Sequence, residues 1–169
     1  CYANKGFYNI YQNTIKPAQF ARLDAVYQAL ESAENAQLWV SGMVSLIGTD
    51  AYFRWHSSGD LQSVHHLNLI VLVARATPNT MHWLPTREYA LVREYLRTWG
   101  SFPANLTVRV SAPMIGAVAS EWENSSSVDA ARTPLTAWVD CPASKQGNKC
   151  VDCRACWDKS VEVVNYKKH

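Results

Sequence analysis

Ala51-Tyr52-Phe53-Arg54-Trp55-His56-Ser57 has the composition of a strand, with Tyr52, Phe53 and Trp55 alternating against Arg54 and His56. It closes on the turn sequence Ser57-Ser58-Gly59-Asp60. Downstream, Leu61 to Ala76 is apolar on most sides, which predicts a well-buried helix closed by Pro78-Asn79. Thr80 to Leu84 predicts a short strand ended by Pro85-Thr86. Arg87 to Trp99 predicts an amphipathic helix with Tyr89, Val92, Tyr95, Leu96 and Trp99 on its apolar side. Asn105 to Ser111 alternates as a strand and stops at Ala112-Pro113. Strands alternating with helices define an α/β fold of βα units. Its sheet is mainly parallel, either open or a partial barrel.

Upstream, Pro17 to about Ile47 is mainly helical, with Phe20, Leu23, Val26, Tyr27 and Leu30 at three- and four-residue spacing. Pro17 suits a first helical turn, Asn35 marks a break, and Gly48 stops the run. Beyond the core units, Glu121 to Arg132 predicts a polar, serine-rich connection. Leu135 to Val139 and Val161 to Tyr166 predict two more strands, flanking a carboxy-terminal cysteine loop.

The chain has 169 residues, which suits a single domain over 1–169. At 48% apolar it can build a core, and it is neither disordered nor collagen-like. A net charge of +2 gives no strong nucleic-acid signal, and the basic tail Lys167-Lys168-His169 is too short to change that. The longest wholly apolar stretch, Leu69 to Ala74, is far too short to span a bilayer. No charged and then apolar leader opens the chain. Neither a phosphate-binding loop nor a dinucleotide fingerprint appears.

Five cysteines are present: Cys1, Cys141, Cys150, Cys153 and Cys156. An odd count with four clustered is poor material for a secreted disulfide framework. Two sequons, Asn105-Leu106-Thr107 and Asn124-Ser125-Ser126, are discounted without a targeting segment. These features favour a reducing cytoplasm. Cys150, Cys153 and Cys156 follow the spacing C-x2-C-x2-C, which in a tight loop aims several thiolates at one centre, as in bacterial ferredoxins. Gly147-Asn148 lets Cys141 fold back as the fourth ligand, with Cys1 as an alternate. Residues 141–157 therefore predict a metal-cluster loop holding an iron–sulfur cluster, [4Fe–4S], with zinc as the alternative cofactor.

In βα folds, reactive groups gather at the carboxyl ends of strands. There His56 is a candidate proton-transfer group, with Asp60 to orient it or to cap the following helix. Arg109, or Arg54, is a candidate for holding a small anionic substrate. His65, His66 and His82 predict structural roles. Two functions are open: an iron–sulfur enzyme acting at the cluster, or a binding protein whose loop is stapled by a cluster or by zinc.

Three segments carry a family resemblance: Cys1-Tyr2-Ala3-Asn4-Lys5-Gly6; Arg54-Trp55-His56-Ser57-Ser58-Gly59-Asp60; and Cys141-Pro142 with Lys149-Cys150-Val151-Asp152-Cys153-Arg154-Ala155-Cys156-Trp157. In that order the chain resembles the gene-product-88 family of bacteriophage proteins over nearly its whole length. The resemblance implies a viral protein of the host cytoplasm with cysteine-ligated iron–sulfur. It does not imply a particular reaction, substrate or oligomeric state.

Overall fold

The computed structural model describes residues 10–132 and 137–168. Two helices lead: α1 (Gln12–Ala29) and α2 (Ala33–Ile47). Their break falls earlier than Asn35. Ser32 is the N-cap of α2 and accepts from the Asn35 N–H at 3.1 Å, while the Asn35 amide reaches back to the Gln28 carbonyl at 3.0 Å. Asn35 thus starts a helix instead of ending one. Pro17 also lies inside α1, because that helix begins at Gln12; the cost is one backbone hydrogen bond.

The alternating region follows the predicted order: β1 (Tyr52–Arg54), α3 (Val64–Ala76), β2 (Met81–Thr86), α4 (Tyr89–Trp99) and β3 (Leu106–Ser111). Three further strands are β4 (Ser125–Val128), β5 (Trp138–Asp140) and β6 (Val163–Tyr166). All pairs are parallel, in the order β1-β2-β3-β4-β6-β5, so the sheet is open.

Two strand boundaries differ from the pattern for physical reasons. β1 is short because His56 takes a left-handed backbone, φ 51°, and breaks the alternation. β2 runs through Pro85, where an N–H is missing. The Trp83 carbonyl accepts from Trp55 of the β1 segment, so Pro85, two residues on, faces the same side. β1 has already ended there, and no ladder bond is lost.

β4 lies inside the segment expected to be a polar connection. Its serines are buried, and two of the three hydroxyls find partners within the sheet: Ser126 to Ser111 Oγ at 3.2 Å and Ser127 to Asn165 Oδ1 at 3.0 Å, while the Ser125 hydroxyl is buried without one.

The two faces of the sheet are covered differently. Phe53, Trp55, Leu84, Leu106 and Val108 pack with Leu67, Ile70 and Val71 of α3 and with Val92 and Tyr95 of α4. Stepping from β1 to β2 to β3 in one direction, right-handed crossovers put both helices on this face. The step from β5 to β6 goes backwards, so the same handedness carries its connection across the opposite face. That connection is the cysteine loop.

Candidate functional site

On the helix-free face, alternate residues of the strands point toward the loop. From β3 come Thr107, whose hydroxyl donates to the Trp157 carbonyl at 2.8 Å, and Arg109, which is fully buried. The Arg109 guanidinium donates to the carbonyls of Cys156, Ser125, Val161, Glu162, Ala155 and Asp158 at 3.0–3.4 Å. Every N–H direction of the fork is used by backbone. Arg109 therefore grips the loop, and the substrate-holding role read from sequence has no donor left to serve it. Its position in the alternation of β3, Leu106-Thr107-Val108-Arg109-Val110, signalled a polar stripe but not what met it.

Cys156 is buried beside Trp83 and Val164, with Cys141, Trp157 and Tyr166 packed around them. Its sulfur lies 3.1 Å from the Tyr166 hydroxyl. Burial pushes the Cys156 thiol up to about 11, against the pull of the Tyr166 hydrogen bond and the Arg109 charge. Burial also raises the Cys141 thiol. Cys150 is exposed and Cys153 half-buried; all four described cysteines are free thiols. Sequence reading missed Tyr166 and Trp83 as neighbours of the cysteines, since neither has a spacing that marks it.

Aromatic and cationic groups frame the loop. Trp157 packs edge-on against Trp83 and Tyr52, the Arg54 guanidinium lies 4.6 Å from the Trp83 ring centre, and Arg154 lies over Tyr52. Arg54 remains exposed on this face, and Arg154 is half-buried beside it.

The donor chemistry suits a thiolate-ligated metal centre. Four thiols belong to one loop, the Trp83 indole N–H is buried without a partner beside Cys156, and Arg109 supplies positive charge beneath. Among the described residues, no three His, Cys, Asp or Glu side chains converge in metal-holding geometry. Cys156 faces Tyr166 and Cys150 faces solvent, so closing four sulfurs on one centre requires the exposed arm 147–152 to turn inward. Cys1 lies outside the described residues.

His56 and Asp60 sit elsewhere, on the helix side of the sheet. Asp60 Oδ1 accepts from the Leu61 N–H at 2.8 Å and the Thr86 hydroxyl at 2.5 Å, and Oδ2 accepts from the Arg87 N–H at 2.8 Å. It ties the β1 loop to the end of β2, a structural task. The His56 ring meets His66 with centres 5.6 Å apart, and its Nδ1 is buried without a partner. Burial lowers the His56 pKa, partly offset by Asp60. Thus the structure brings His56 and Asp60 together and brings Arg109 to the cysteines, but it divides the two groups between opposite faces.

His82 is fully buried and structural. Trp55 Nε1 donates to its Nδ1 at 3.3 Å, and its Nε2 lies 2.8 Å from Thr77 Oγ1, which itself donates to the Val73 carbonyl. Both sequon asparagines are also engaged: Asn105 Nδ2 donates to the carbonyls of Ala74, Thr77 and Thr80, and Asn124 Nδ2 to those of Lys159 and Val161.

Fold and site together define an α/β protein with helices on one face of a parallel sheet and a cysteine loop crossing the other. The chain belongs to the Gene product 88 family, whose pattern it matches over residues 1–159. No curated protein and no solved structure matches it.

Proposed function

We propose that this protein is an iron–sulfur protein of bacteriophage type, holding a [4Fe–4S] cluster through Cys141, Cys150, Cys153 and Cys156. The observation that carries this reading is the gathering of all four thiols in one loop over the buried positive charge of Arg109. Such a centre, when bound, supplies electron transfer or Lewis acidity. The chain's own residues anchor the loop, shield it with Trp157 and Trp83, and present Arg54 to a small anionic molecule.

One observation favours a second reading, a cluster- or zinc-stapled binding protein without catalysis. His56 and Asp60 lie on the other face of the sheet, and Arg109 is consumed by carbonyls. A reducing host cytoplasm is part of the proposal, supported by the free thiols and the engaged sequon asparagines. No helix among the described residues is long and apolar enough to cross a membrane.

Anaerobic purification tests both. Brown protein with a broad absorption band toward the blue, and iron and sulfide lost on replacing Cys150, Cys153 or Cys156 by Ala, is the expected result. Colourless protein with one equivalent of zinc selects the staple. Protein that takes up neither iron and sulfide nor zinc overturns both. For the fourth ligand, loss of the cluster in Cys141→Ala and its retention in Cys1→Ala is expected, because Cys141 closes the shorter loop.

A further inference from the structure

We infer that Arg109 assembles the cysteine turn before any metal enters it, and so acts as the positioning residue of the site. As a statement about a metal centre this rests on the reading above; as a statement about the turn it stands on geometry alone.

The carbonyls of Ala155, Cys156, Asp158, Val161 and Glu162 all point at one guanidinium. Five carbonyl dipoles converging on a point repel one another unless a cation sits among them. Among the described residues no carboxylate forms an ion pair with Arg109; the cation is solvated by the backbone of the turn itself, with the Ser125 carbonyl of β4 as a further acceptor. Three more bonds hold the same turn from outside: Thr107 to the Trp157 carbonyl, and Asn124 to those of Lys159 and Val161. Cys156 is thereby fixed at a set depth in the sheet face.

The other arm of the loop is built differently. Gly147, Asn148 and Val151 take positive φ, and residues 147–152 are exposed. Metal binding therefore has one prebuilt half and one half to close. This differs from small zinc modules, in which the metal supplies the folding energy.

The test is hydrogen exchange on chelator-treated, fully reduced wild type, Arg109→Lys and Arg109→Gln, with cobalt(II) titration of each. The reporting amides are Trp157, Asp158, Val161 and Glu162, which donate to the carbonyls of Arg154, Ala155, Asp158 and Ala137. In metal-free wild type these amides are expected to be protected. In both variants they exchange at least about tenfold faster, and cobalt binds at least about tenfold more weakly, while amides of α3 keep their protection. Lys keeps the charge but lacks the fork, so it does not rescue.

Unprotected turn amides in the metal-free wild type, or full protection in both variants, overturn the inference. Should the substitutions also expose α3, nitrogen NMR of the wild type decides. A locked Arg109 guanidinium gives separate Nη1 and Nη2 signals, and one averaged signal refutes it. Protected amides in a wild type that binds neither cobalt nor iron and sulfide sink the metal reading and leave the role of Arg109 standing.

Discussion

Val151 is a β-branched residue at φ 46°, exposed in the arm between Cys150 and Cys153. Left-handed backbone is costly for such a side chain. Val151→Gly should therefore stabilise the metal-free protein by about 1 kcal/mol, read as a higher urea midpoint. A lower midpoint would mean that the side chain has a partner the backbone strain conceals. His66 and His82 lead to a second expectation. Burial lowers both to about 4, with the neighbouring His56 adding to the effect at His66 and Asp60 opposing it. Below the unfolded value of 6.5 the unfolded chain takes up protons that the folded one refuses. Stability is thus fully present above pH 6.5 and declines as pH falls toward 4, by about 2 kcal/mol per histidine at pH 5. Equal urea midpoints at pH 7.5 and pH 5 would contradict this. At this scale the sequence was unevenly legible. The cysteines declare themselves by spacing, which survives without a structure. Arg109 does not, because a buried guanidinium looks the same in sequence whether carbonyls or a substrate surround it.

Among the elements, α3 ends in a device that no propensity shows. The Asn105 amide caps the carbonyls of Ala74 and Thr77 and adds Thr80, joining the end of a helix to the entry of β3. Asn105→Ala removes these donors and should cost about 2 kcal/mol, seen as a lowered urea midpoint with an unchanged slope. A loss near zero would show that water replaces the amide freely. β1, α3, β2, α4 and β3 were readable because their apolar residues repeat with the period of the element. β4 was not readable, because three serines carry no such period. The burial of Ser126 and Ser127 depends on acceptors contributed by Ser111 and Asn165, residues 15 and 38 positions away. The start of α1 was misplaced for a related reason: Pro17 fits a first turn, but a helix already begun at Gln12 tolerates it.

At the scale of the whole molecule, β6 sits between β4 and β5, and among the described residues β5 pairs with β6 alone. Asp140 and Asn165 secure the joint, with Asn165 Nδ2 donating to Asp140 Oδ1 at 2.8 Å. A chain ending at Glu162 keeps every cysteine, yet it should bind no stoichiometric cobalt(II); full binding by that chain would show that the loop seats itself without the strand. The strand order carries a consequence for how the molecule is made. Synthesis runs from amino to carboxyl end, so the helical half can gather while the rest is still being added. The thiols emerge before the strand that seats them. A ribosome stalled short of Val163 would thus release a product whose cysteines stay reachable by chaperone and oxidant alike, and only once Val163–Tyr166 has paired would Cys156 be seated against the sheet.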